Sequence, residues 1–144
     1  MSNVRFIGLD VHKDSIVMSV AETGTAEAKV LGTFPNDINK VIKQFKKLSA
    51  DVSLLRVCYE AGPTGFGLYR RLKEAGIDCI VVAPSLVPQK AGLRVKTDRR
   101  DSKKLAHYLR SGDLTQVWVP DEQTEALRDL ERARDDAKNA ERSA

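Results

Sequence analysis

The sequence predicts a mixed α/β fold: a three-strand antiparallel meander extended by parallel strands, with helices on the faces of the sheet. Three features carry that expectation. Three short β-rich runs with turn signals open the chain, a strand–helix–strand succession follows, and helical periodicity recurs around them.

The elements follow in order. Val4 to Asp10 is a short strand that turns apolar and ends in a carboxylate. Ser15 to Ala21 is β-rich and runs into a turn at Gly24, and Ala28 to Phe34 completes the meander. Pro35-Asn36-Asp37 then opens a helix in which Ile38, Val41, Ile42, Phe45 and Leu48 share one face. Lys40, Lys43, Lys46 and Lys47 fall mostly on the other, as on an ordinary solvated surface. Leu54 to Glu60 is a second strand ending in a carboxylate. A tight loop over Ala61-Gly62-Pro63-Thr64-Gly65 leads into a helix from Phe66 to Ala75, stopped by Gly76. Ile77 to Val82 is a buried-type strand closed by Ala83-Pro84, so a parallel pair with a right-handed crossover is expected. Asp98 to Arg110 reads as a further helix with Gly112 as its stop, and Gln116 to Val119 as a short strand-like piece before Pro120. From Asp121 the pattern is helical to the end. Ala126, Leu130, Ala133, Ala137 and Ala140 form a weak heptad seam, and the chain is expected to be cut inside this helix.

A chain of 144 residues, 42% hydrophobic and 31% charged, suits one globular domain with a real core. No window approaches the roughly 18 apolar residues of a membrane span. No signal-peptide pattern opens the chain, so a cytoplasmic protein without membrane association is expected. Cys58 and Cys79 lie in apolar runs without zinc-type spacing and read as buried reduced thiols. The net charge of +4 points toward a polyanionic partner.

The residues that carry chemistry are acids distinguished by position. Asp10 and Glu60 each end an apolar strand, where side chains project into a cleft. Asp98 and Asp101, three apart at an expected helix start, should share a face. Carboxylates gathered in this way repel one another unless a cation lies between them, and an all-oxygen cluster suits Mg²⁺ or Mn²⁺ rather than zinc. Individually each has a plainer role: Asp98 as a helix cap, Asp101 as a first-turn acid, Asp10 as a turn residue, Glu60 as a surface acid. The densest basic stretch surrounds the second pair: Lys90, Arg94, Lys96, Arg99, Arg100, Lys103 and Lys104 are expected to hold nucleic-acid phosphates. No aromatics interleave it, so base stacking is not indicated. His12 reads as a polar loop histidine close to the first acid, and His107 has no assigned role. Gly62, Gly65 and Gly67 lack the spacing and lysine of a phosphate-binding loop.

Three stretches, Gly8-Leu9-Asp10-Val11-His12-Lys13, Tyr59-Glu60-Ala61-Gly62-Pro63-Thr64-Gly65 and Lys96-Thr97-Asp98-Arg99-Arg100-Asp101-Ser102, resemble the acidic blocks of IS110-family transposases. Val81-Val82-Ala83-Pro84-Ser85 and Val117-Trp118-Val119-Pro120 are similar to segments between and after those blocks. The resemblance covers nearly the whole chain. It implies an RNase H-like (RuvC-like) sheet over residues 1–120 and the start of a long helical, coiled-coil region over 121–144. Asp10, Glu60, Asp98 and Asp101 would be the catalytic, metal-binding set. Mg²⁺-dependent DNA strand cleavage and exchange is implied, with Mn²⁺ as a possible substitute and a structured guide RNA as partner, in a homodimer or higher oligomer. It also implies a C-terminal domain bearing a nucleophilic serine, without which the isolated fragment is expected to be inactive. Rival readings are a stand-alone RNase H/RuvC-type nuclease resembling Holliday-junction resolvases, and a non-catalytic nucleic-acid-binding module. A sugar-kinase/actin-type ATPase is a further rival, but it needs two larger domains.

Overall fold

The computed structural model describes residues 4–62, 64–88, 95–98 and 100–120. Strands β1 (Arg5–Val11), β2 (Ser15–Glu22) and β3 (Lys29–Pro35) form the expected antiparallel meander. Strand β4 (Leu55–Glu60) joins the other side of β1 in parallel, and β5 (Asp78–Val82) joins β4 in parallel. The resulting sheet has the order β3-β2-β1-β4-β5. It is the meander extended by parallel strands that the RNase H-like reading expects.

Helix α1 (Ile38–Leu48) starts where the sequence placed it, because Asp37 caps it. The Asp37 Oδ1 atom accepts from the backbone N–H of Asn39 at 2.9 Å and of Lys40 at 3.4 Å. Lys46 and Lys47 close its last turn, where the helix dipole favours cations. Helix α2 (Gly67–Glu74) ends before Gly76, whose φ of +81° is the left-handed value that a glycine adopts without strain. Helix α3 (Ser102–Ser111) ends the same way at Gly112, with φ +79°.

Strand alternation divides the core between the two faces of the sheet. On one face Ile7, Leu9, Val11, Ile16, Met18, Val57, Tyr59 and Val81 pack with Val41 and Phe45 of α1 and Leu72 of α2, all buried. Full burial of each large side chain contributes about 1.5–3 kcal/mol. The other face carries α3. Leu105 packs with Cys58 and Val82, and Ala106 with Ala21 and Ala28. A buried hydroxyl pair, Ser19 Oγ to Ser102 Oγ at 2.7 Å, satisfies the polar groups that this contact removes from water.

Two expectations are corrected. The helix expected from Asp98 begins only at Ser102, and Asp98 instead ends strand β7 (Val95–Asp98). Strand β7 forms an antiparallel hairpin with β6 (Ser85–Pro88), in which Ser85 lies opposite Asp98. Asp98 and Asp101 therefore do not share a helix face: one ends a strand and the other caps the helix. The strand-like piece at 116–119 reduces to a single antiparallel bridge between Gln116 and Val82. The helix expected from Asp121 onward lies outside the described residues.

The approach of α3 depends on Gly8. A Cβ at that position would lie 2.5 Å from the backbone nitrogen of Ala106 and 2.8 Å from Leu105 Cβ, and would collide with the Ser102 carbonyl. These are backbone and packed atoms that cannot swing away. Gly8→Ala is expected to destabilise the fold by about 1–3 kcal/mol through overpacking. Denaturant unfolding checks this; a midpoint equal to that of the native chain would refute the close approach.

Candidate active site

Strands β1 and β4 run side by side, and β1 ends one residue beyond β4. Their register pairs Leu9 with Tyr59, so the next residue on each strand is an acid, Asp10 on β1 and Glu60 on β4. Alternation turns both acids to the face that carries Gly8, Cys58 and α3. Asp101 caps that same helix, its Oδ1 accepting from the Lys104 backbone N–H at 2.8 Å. The carboxyl ends of two parallel strands and the N-terminus of a helix thus meet at one edge of the sheet.

Each acid has a distinct environment. The Asp10 side chain is 19% exposed, and its Oδ2 accepts from His12 Nε2 at 3.1 Å. The turn carrying His12 is fixed by its own hydrogen bonds. His12 donates its backbone N–H to the Ser15 carbonyl at 2.8 Å, and Asn36 Nδ2 donates to the His12 carbonyl at 2.8 Å. Glu60 is the most enclosed acid among the described residues, with its side chain 5% exposed. Its Oε1 accepts from the Arg100 backbone N–H at 2.7 Å, and its Oε2 lies 3.8 Å from Arg100 Nη2. Among the described residues that Oε2 is buried without a hydrogen bond. The loop after Glu60 is held by Tyr59, whose hydroxyl donates to the Gly65 carbonyl at 3.3 Å and accepts from the Tyr69 N–H at 3.1 Å.

The basic residues divide. Arg100 points inward: its side chain is 16% exposed and its guanidinium donates to the Ala83 carbonyl beside Glu60. Lys103 and Lys104 belong to the first turn of α3. With Asp101, Glu27, Ala28 and His107 they line a cavity of about 370 Å³, across which Lys103 Nζ reaches Glu27 Oε1 at 3.4 Å. Lys90, Arg94 and Arg99 lie outside the described residues, as do the side chains of Lys96 and Asp98. Among the described residues no group of three or more His, Cys, Asp or Glu side chains is close enough to hold a metal ion ready-made. Nor, among those residues, is any helix long and apolar enough to cross a membrane.

Two contacts escaped the sequence reading. The His12–Asp10 pair had a usable signal, since residues two apart near a strand end fall on one face. The inward turn of Arg100 had none, because nothing in a run of basic residues marks the one that faces a buried acid.

The geometry yields two predictions. Glu60→Ala would strand the largely buried Arg100 guanidinium without its counter-charge and is expected to cost about 3 kcal/mol. Glu60→Gln, which keeps an oxygen acceptor for the Arg100 N–H, should cost clearly less; equal losses on urea unfolding would contradict the pairing. The second concerns Cys58. Burial pushes its thiol up from 9.0 to about 12, with Arg100 opposing and Glu60 adding to the shift. Burial likewise raises Cys79. Neither thiol should react with a disulfide reagent at pH 8 until the chain is unfolded. The stabilising contribution of Cys58 is full below pH 9.0 and is lost as pH rises toward about 12, because the unfolded chain ionises first. Rapid labelling of the folded chain would refute both.

Comparison with known proteins agrees with the acidic blocks. The family model for IS110-type DEDD transposases, described as Transposase, matches residues 7–143. A putative transposase, y4qE, of Sinorhizobium fredii (strain NBRC 101917 / NGR234) is 50% identical over 133 residues, covering 92% of this chain and 34% of the relative. The transposase for insertion sequence element IS1533 of Leptospira borgpetersenii is 37% identical over 131 residues, covering 90% of this chain and 38% of the relative. The chain thus spans about a third of the length of these relatives. Among solved structures, the large terminase nuclease from the thermophilic phage G20c aligns with a TM-score of 0.46 and 16% identity, over 75% of this chain and 80% of that one. With a family match running almost from end to end, this chain belongs to the IS110 family of transposases.

Proposed function

We propose that this chain is the catalytic domain of a DNA transposase that cuts and exchanges DNA strands with a divalent cation, Mg²⁺ or Mn²⁺. The cation would be held by Asp10, Glu60, Asp98 and Asp101. The observation that carries the reading is the pair of acids on adjacent parallel strand ends, Asp10 and Glu60, facing the capped N-terminus of α3.

The donor set fits such a cation. All its atoms are carboxylate oxygens, which hard ions prefer, and the buried Glu60 Oε2 has no hydrogen bond among the described residues. The absence of a ready-made cage among the described residues is compatible with Mg²⁺, which commonly takes one or two carboxylates and completes its shell with water and substrate phosphate. When bound, a divalent cation supplies charge that activates the attacking oxygen and steadies the leaving oxygen of a phosphodiester. The chain's own residues do the remaining work. His12 orients the Asp10 carboxylate, and the Arg100 backbone N–H orients that of Glu60. Lys103 and Lys104, beside Asp101, would meet backbone phosphates, as would Lys90, Arg94, Lys96 and Arg99.

In the full-length protein we take residues 1–120 as this catalytic domain and 121–144 as the start of a helical region that leads to further domains. DNA would be the substrate, a structured RNA the guide, and a homodimer or higher oligomer the working assembly.

The direct test is a DNA-rearrangement assay in cells with the full-length protein. Asp10→Asn and Glu60→Gln, which preserve shape and remove charge, should each reduce rearrangement by about a thousandfold or more, to background. Circular dichroism of the same variants should be unchanged. Native activity in either variant would remove that acid from the catalytic set.

A further inference from the structure

One acid of the proposed cation site is contacted by Arg100, which faces inward rather than toward solvent. Arg100 has its guanidinium against Glu60, inside the fold, and its backbone N–H on the same carboxylate. Its two modes of contact differ in strength. The N–H bond to Oε1 is short, at 2.7 Å. The charged contact to Oε2, at 3.8 Å, is longer than a hydrogen bond. Among the described residues neither Glu60 Oε2 nor Arg100 Nε has any hydrogen-bond partner, although both atoms are buried. The parallel double hydrogen bond that arginine readily makes with a carboxylate is therefore not used here. The guanidinium is anchored on the Ala83 carbonyl and supplies charge to Glu60 without a hydrogen bond to it, and the polar atoms left unsatisfied are costly to keep. A cation arriving at Oε2 would recover part of that cost.

We propose that Arg100 is an internal counter-ion for Glu60 that competes with the divalent cation, keeping the acid neutralised until metal and substrate phosphate arrive together. The inference rests on Glu60 being a metal ligand. Arg100 is then a positioning residue. Its N–H holds Glu60 in place whether or not metal is bound, while its side chain lowers the affinity of the free domain for metal. Once displaced from Glu60, the guanidinium stands at the catalytic edge with its positive charge available to a phosphate.

The experiment is titration calorimetry with Mn²⁺ alone on this chain, on Arg100→Gln, on Arg100→Lys and on Glu60→Gln, with thermal melts of each in the absence and presence of Mn²⁺. Arg100→Gln keeps the backbone N–H bond to Glu60 and removes the competing charge. It is expected to bind Mn²⁺ at least about tenfold more tightly than the native chain, the scale on which one adjacent charge acts. Mn²⁺ should also raise its melting temperature more. Arg100→Lys, still charged, should stay close to the native affinity. Equal or weaker binding by Arg100→Gln, with binding by the native chain intact, overturns the counter-ion role and leaves the metal site standing. Native-like binding by Glu60→Gln removes Glu60 from the metal site and the proposal with it. Absence of binding by both the native chain and Arg100→Gln also overturns the proposal.

Discussion

The approach of α3 to the sheet at Gly8 is the contact on which the candidate site depends. A helix lies on a strand at this distance only where no side chain intervenes, and the missing Cβ of Gly8 provides that space. The consequences extend in both directions along α3. Toward its N-terminus, Ser102 reaches Ser19 and Asp101 arrives at the edge where Asp10 and Glu60 end their strands. Toward its C-terminus, Arg110 donates to the carbonyls of Glu22 and Ala26 at 3.0 and 2.6 Å, tying down the turn between β2 and β3. One absent methyl group thus sets the distance between acids that are far apart in sequence.

Charge balance is the second constraint. A carboxylate with its side chain 5% exposed has given up most of its water, and Glu60 has a backbone donor and a guanidinium in its place. Asp10, closer to solvent, takes a histidine instead. The two acids follow apolar runs on neighbouring strands, yet they differ both in burial and in partner. That difference assigns the tighter electrostatic control to Glu60.

Most of the fold was legible because its signals are local. Turn residues marked the meander, Asp37 marked the start of α1, and Gly76 and Gly112 marked helix ends through the conformations only glycine takes easily. The placement of Asp10 and Glu60 on strands was legible because each follows an apolar run. Asp98 was misread because its spacing from Asp101 suits a helix, whereas the backbone there pairs with Ser85 in a hairpin. That pairing is non-local, and a helical pattern in a short charged segment cannot report it. The inward turn of Arg100 was equally hidden, since it depends on where Ala83 and Glu60 lie in space.

The same α3 contact bears on the order in which the molecule is built. The meander and the β1–β4–β5 crossover use the first 82 residues, and their contacts close over moderate loops. The Ser19–Ser102 pair closes over a separation of 83 residues and cannot form until α3 has been synthesised. Contacts of long sequence separation carry the larger entropy of closure and tend to come late. A nascent chain would hold Asp10 and Glu60 side by side well before Asp101 joins them. The acids proposed to hold the cation are therefore brought together only once α3 has docked on the sheet.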